Sequence, residues 1–363
     1  MGKNFITEAR LLMRIVMNIG HEPLPVHIEA ETVGVHARQF AQRMQRYRKK
    51  FAPPLRKFYQ TYLPQQRPVN VVYLFGGGDL ISALLPFPEA PELTTISLEQ
   101  AGDPRRIKSI DQEELQCSLS NLKKQFGGML SVGSNTSENL SNSQRNYLPV
   151  QLVSFLVALV VHDYEPVAVY YFTLNEDGTI HYLNESEITE LNKKPADRLR
   201  LSWCRPNFSS AFANVEIQYK RRNKPEGPIQ IFRHIGASLA NGRFVNNFPL
   251  RNHLDAKGQV SGLVKGASYL LWQDGYAHVR DYMLTHMPFI VSDSSGIPFD
   301  YATAAGFRIK TFGKFSGSFL KADNSHNEAF RTLWNNNSYT KMPSRFGYVD
   351  SDGQPHLMFS IKT

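Results

Sequence analysis

Residues 68–106, PVNVVYLFGGGDLISALLPFPEAPELTTISLEQAGDPRR, decide how the fold is read. Val69, Val71, Val72, Tyr73, Leu74 and Phe75 form an apolar run rich in β-branched and aromatic residues, the composition of a buried strand. Three glycines and Asp79 stop it, a short amphipathic helix follows, and Leu93–Leu98 makes a second such run that ends at Glu99.

Strand, glycine loop, helix, strand and terminal carboxylate is the order of a unit that binds a nucleotide or S-adenosylmethionine. Gly76, Gly77 and Gly78 let backbone approach a ligand closely, and the next helix offers unpaired N–H groups at its start. Asp79 also suits the N-cap of that helix. Glu99 lies about 20 residues beyond the glycines, where such folds place a carboxylate on ribose hydroxyls. Two features depart from the usual fingerprints. Ile81 stands where a third glycine is expected, and Leu74-Phe75 replaces the acidic residue that opens a methyltransferase loop.

A second candidate is the turn Asp293-Ser294-Ser295-Gly296-Ile297-Pro298, placed at a strand end. In a parallel sheet it would meet Asp79 and Glu99 at the carboxyl edge, where three carboxylates suit acid–base work or a divalent cation. The bland alternative is a turn that satisfies its own backbone. His162-Asp163 and Arg233-His234 lack metal-ligand spacing, and no G-x-S-x-G elbow or phosphate loop ending in Lys-Ser/Thr occurs.

Outward from this unit, residues 35–57 read as a basic helix with a stripe of Phe40, Met44, Tyr47 and Phe51, ended by Pro53 and Pro54. Residues 120–147 are polar and Ser/Asn-rich, which predicts a long mobile loop. Residues 150–164 are apolar all round, as in a buried helix, and a hairpin follows over 167–183 with Glu176-Asp177-Gly178 at its turn. Residues 215–219 suit a strand, 229–241 a helix C-capped by Gly242, and 263–272 a strand. Residues 276–286 suit a helix, and 288–292, 307–312, 347–350 and 358–361 suit strands. The alternation predicts an α/β fold: a twisted, largely parallel, Rossmann-like sheet with helices on both faces. Residues 1–66 would form a basic helical extension and 67–363 the α/β domain.

The chain has 363 residues and a net charge of +9, and residues 1–70 hold twelve Lys/Arg against four Glu. The body is near neutral, which argues against a diffuse nucleic-acid surface. It leaves peripheral contact with an anionic membrane through the N-terminal helix as a role for the basic end. Cys117 and Cys204 allow one disulfide at most. No apolar run spans a bilayer. Glu8 and Arg14 interrupt the N-terminal apolar patch, so it reads as a weak signal peptide.

Tyr73–Leu80, Phe87-Pro88, Leu98-Glu99 with Gly102, Ser268–Trp272 and Ser292–Phe299 together resemble an uncharacterised bacterial family, many of whose members carry export or lipoprotein leaders. Its pattern runs YPFSGPDFL, LEP-x-G, SYLMH, QDDSGIPY. The resemblance covers most of residues 70–315 in order, departs at Gly77-Gly78 and Leu271-Trp272, and favours an envelope location, with bacterial cytoplasm or periplasm/envelope left open by the chain itself. It directs suspicion to Asp79, Glu99, Tyr269, Asp293 and Gly296. The expected function is a small-molecule site, nucleotide- or S-adenosylmethionine-like. Gly76, Gly77, Gly78 and Glu99 would bind, Asp79 and Asp293 would act as acid–base groups, and Tyr269 would orient substrate. The rival is a non-catalytic envelope or interaction protein on the same scaffold.

Overall fold

The computed structural model describes residues 2–130, 147–193, 209–318 and 324–362. The chain opens with helices α1 (Ile6–Met17), α2 (Ala30–Arg46) and α3 (Ala52–Tyr62), then alternates through β1 (Val71–Leu74), α4 (Leu80–Ala83) and β2 (Glu92–Ser97). Helices α5 (Gln112–Met129) and α6 (Val150–Val161) lead into β3 (Tyr164–Leu174), β4 (Ile180–Tyr182), α7 (Glu185–Lys193), β5 (Asn214–Arg221) and β6 (Gln230–Gly236). The last third holds α8 (Asn241–Phe244), α9 (Phe248–Asp255), β7 (Ser261–Val264), α10 (Ala277–His286), β8 (Phe289–Ser292), α11 (Phe299–Ala304), β9 (Phe307–Gly313), α12 (Asn324–Asn335) and β10 (His356–Lys362).

All ten strands join one sheet, in the order β4-β3-β5-β6-β2-β1-β7-β8-β10-β9. The α/β character is as expected; the largely parallel, Rossmann-like sheet is not. Only the central run β6-β2-β1-β7-β8 is parallel, and antiparallel pairings flank it on both sides. The hairpin of β3 and β4, legible from its turn, is part of one antiparallel wing.

Side chains alternate between two layers, as the pleat requires. Val71, Tyr73, Leu93, Leu263 and Phe289 face a core shared with α1, α2, α3, α5 and α6. Val72, Leu74, Ile96, Val264 and Ile290 face the second layer, built on α8, α9 and α10. Helix α6 is buried along its whole length, matching its continuous apolar sequence. The N-terminal helices lie inside the first core: Phe5, Leu12, Ile15 and Val16 are buried in it, so residues 1–66 pack as part of the sheet's own layer.

Six local expectations are corrected. Pro53 and Pro54 do not end the first basic helix; a π turn over Tyr47–Phe51 intervenes, and both prolines occupy the first turn of α3, where a missing N–H costs nothing. Residues 229–241 are not a helix. Residues 230–236 form β6, with Arg233 paired to Glu92 and Glu216 across its neighbours, so polar residues that suggested a helical face are satisfied between strands. Gly242 accordingly lies within α8 and caps nothing. The strand expected over 263–272 ends at Val264 and gives way to a 3-10 turn at Leu270–Trp272, and near 347–350 there is only the isolated bridge Val349–Pro355. Residues 120–129 of the expected loop continue α5; residues 131–146 and Cys204 lie outside the described residues. Cys117 is exposed. Among the described residues no helix is long and apolar enough to cross a membrane.

Some of the basic excess closes the core. Arg48 donates to the carbonyls of Val160 and Val161 at the end of α6, where the helix leaves acceptors unfilled and favours positive charge.

His234 is fully buried in β6, bonded to Thr95 Oγ1 at 2.9 Å and to the Glu99 carbonyl at 2.7 Å, and burial lowers its pKa to about 4. It is neutral when folded and takes a proton near pH 6.5 when unfolded, so the unfolded state binds more protons between those values and stability falls as pH drops below 6.5. Urea midpoints should therefore be level above pH 6.5 and decline towards pH 5. His234→Gln should remove about 2 kcal/mol of that decline at pH 5. Identical slopes in the variant and the wild type would contradict this reading.

Candidate functional site

Strand β1 lies at the centre of the parallel run, with β2 on one side and β7 on the other. The chain leaves β1 through α4 into the first layer, and leaves β7 through α10 into the second. The carboxyl ends of β1 and β7 are therefore where the winding reverses, the position at which open α/β sheets form a ligand crevice.

Backbone strain collects at this place. Phe75, directly after β1, has φ 60°, and Ser268 and Tyr269, after β7, have φ 53° and 56°. Left-handed conformations cost non-glycine residues of order 1–3 kcal/mol each and persist only where surroundings enforce them.

Between these two strand ends lies a buried ion pair. Lys265, the first residue beyond β7, places Nζ 2.9 Å from Asp79 Oδ2 and 2.7 Å from Ser82 Oγ. Asp79 also accepts from Tyr73 Oη at 3.0 Å and from Ser82 Oγ at 2.9 Å. It occupies the N-cap position of α4 but makes no side-chain cap to the backbone. Burial, reinforced by Asp79, raises the Tyr73 hydroxyl well above its usual range and keeps it a donor.

Asp293 is wholly buried and receives four donors. Its Oδ2 accepts from the N–H groups of Gly266 (3.0 Å) and Tyr348 (2.8 Å), and its Oδ1 from the Ser295 N–H (2.9 Å) and hydroxyl. A Cβ on Gly347, whose φ is +64°, would stand 1.9 Å from that carboxylate, so glycine is required there. Asp293 thus ties the segments after β7 and β8 to the 347–348 segment. Tyr269 Oη lies 3.0 Å from Ser294 Oγ, which is 2.8 Å from His356 Nε2, and its ring stacks on Tyr348 at 5.4 Å. Burial lowers the His356 pKa, and Ser294 has no exposed surface, so this network joins β8 to β10 internally.

The glycine loop is packed tightly. A Cβ at Gly76 would meet the Tyr73 ring at 2.8 Å, one at Gly77 would meet Glu99 Oε1 at 3.1 Å, and one at Gly78 would meet Gln151 Oε1 at 2.5 Å. Around Gly77 and Gly78 three buried polar atoms have no hydrogen-bond partner among the described residues: Glu99 Oε1 and both Oε1 and Nε2 of Gln151. Burial pushes the Glu99 carboxyl above the ordinary range. Gln151 belongs to the first turn of α6, whose N-cap, Pro149, supplies no side-chain acceptor.

The expected residues therefore gather at one edge but divide by role. Asp79, Asp293 and Tyr269 hold segments together, while Glu99 and the glycines border unfilled polar atoms. Among the described residues no group of three His, Cys, Asp or Glu side chains could hold a metal ion, so the three carboxylates form no cation site. Sequence reasoning missed Lys265, Gln151 and His356. Lys265 was hidden inside an over-long strand, although a lysine closing an apolar strand is itself a signal. Gln151 was hidden by the apolar run of α6. No family model, curated protein or solved structure matches the chain.

Lys265→Met should leave the Asp79 carboxylate buried and unpaired, at a cost of about 3–5 kcal/mol in urea unfolding. Adding Asp79→Leu should recover most of that loss. A single variant as stable as the wild type would show that the pair does not order this edge.

Proposed function

We propose that the protein binds a small polar molecule, nucleotide- or S-adenosylmethionine-like, at the carboxyl ends of β1 and β2. One observation carries the reading. Glu99 Oε1 and the whole Gln151 amide are buried without partners beside Gly77 and Gly78. A buried polar atom left unpaired costs about 1–3 kcal/mol, and three such atoms within one neighbourhood are accounted for by a ligand that pairs them.

The chemistry of the group narrows the ligand. A carboxyl and an amide read hydroxyls and amines, and the start of α6 with the glycine backbone favours a phosphate or carboxylate. Access is through the strand end, where Leu98 is exposed and Gln100 is half-buried on either side of Glu99. Asp79, Lys265, Asp293 and Tyr269 position this edge in the proposal, and none of them is assigned to a chemical step.

A thermal-shift screen of the purified protein against S-adenosylmethionine, its demethylated product, nicotinamide dinucleotides and adenine nucleotides tests the proposal. A ligand at about 100 times its Kd stabilises by about 2.7 kcal/mol, which raises Tm visibly. The shift should appear with one class and vanish in Glu99→Gln. No shift with any class, or a shift indifferent to Glu99→Gln, overturns the reading in favour of a scaffold whose glycines serve packing alone.

A further inference from the structure

At the opposite end of the parallel strands is a second feature, independent of the carboxyl-edge site. The 12 residues of α6 span about 18 Å. Gln151 at the start of α6 borders the glycine loop, and His162 at its end borders a cavity of about 510 Å³. That volume falls in the range of about 300–1,000 Å³ common to small-molecule sites.

The cavity carries three guanidinium groups, Arg56, Arg67 and Arg221. Only Arg221 has a carboxylate, pairing with Glu89 at the rim. Arg67 donates to the Pro64 carbonyl at 2.5 Å, and burial lowers its pKa. Arg56 donates to His162 Nδ1 at 2.9 Å, which leaves His162 to donate from Nε2 to the Ile81 carbonyl at 3.0 Å; burial and the adjacent Arg56 lower its pKa to about 3. His162 is therefore neutral, and Arg56 and Arg67 have no carboxylate within ion-pair distance among the described residues. Charges are rarely left this way in a concave, partly dry place.

Tyr59 adds a separate observation. It lines the same cavity, is 1% exposed, and its buried hydroxyl has no hydrogen-bond partner among the described residues. Burial raises its pKa, so it stays a donor. Leu63, Leu85, Pro86, Pro88 and the Tyr164 ring provide apolar wall. Two planar forks without a carboxylate partner, a neutral hydroxyl donor and an apolar side match an oxyanion attached to a small organic body, because guanidinium groups pair phosphate and carboxylate through parallel bonds.

We infer that this amino-edge cavity, bordered by Arg56, Arg67 and Tyr59, is a binding site for a small organic oxyanion. Part of the basic excess in residues 1–70 then serves this cavity.

Calorimetric titration of the full chain with inorganic phosphate, AMP and citrate reads the site directly, with the two phosphate probes set against the carboxylate probe to identify the source of the oxyanion. At least one probe should bind, with affinity falling as salt is raised. Arg67→Met should weaken binding at least tenfold. Tyr59→Phe removes a hydroxyl that is unpaired in the free protein, so it should raise Tm without ligand and yet weaken binding about tenfold. Both variants leave Glu99 and Gln151 untouched, so a nucleotide shift lost only in Glu99→Gln belongs to the other site. Binding of no probe, or binding unaltered in both variants, overturns the inference.

Discussion

A lysine ammonium and a carboxylate 2.9 Å apart inside the protein constrain almost everything at the centre of this sheet. Lys265 and Asp79 are both nearly inaccessible, so removing either leaves a buried group without its partner. Their contact clamps the segment after β7 to the first turn of α4, and thereby fixes the two connections that leave β1 and β7 for opposite faces. The left-handed residues Phe75, Ser268 and Tyr269 lie beside this clamp, where β1 and β7 end and the backbone turns sharply. Asp293 extends the same device, gathering N–H groups from two further segments.

Polar groups held this completely make the edge rigid, and rigidity makes the unfilled atoms informative. Where Asp79 receives three donors and Asp293 four, Glu99 Oε1 and the Gln151 amide a short distance away receive none. A fold that satisfies one set of buried carboxylates so fully has no structural need to leave the neighbouring set open. The amino edge repeats the contrast. Arg48 and Arg221 close helix ends and rim contacts, while Arg56, Arg67 and Tyr59 face a cavity.

Much of the architecture was legible because single elements carried strong local signals. The apolar run ending at Gly76, the all-apolar α6 and the Asp-Gly hairpin turn all form where their residues indicate. What failed was context. Residues 230–236 are short and mixed, and only pairing of Arg233 and His234 with β2 and β5 makes them a strand. The antiparallel wings arise from strands distant in sequence, as when β10 inserts between β8 and β9, and no local pattern encodes that insertion. At the site, sequence spacing brought Asp79, Glu99 and Asp293 to one edge but could not separate carboxylates that hold structure from one that is left open. That distinction depends on Lys265, Gly266, Tyr348 and Gln151, which reach the edge from three separate segments.

The central claim is that the polar atoms around Gly77 and Gly78 await a ligand. A crystal structure of the protein soaked with S-adenosylmethionine, nicotinamide dinucleotide and adenine nucleotides addresses it most directly. The account requires density for one of these molecules against Gly77–Gly78, within hydrogen-bond distance of Glu99 Oε1 and the Gln151 amide. Glu99 and Gln151 hydrogen-bonded to each other or to lone waters, with no organic density at that edge, would contradict it.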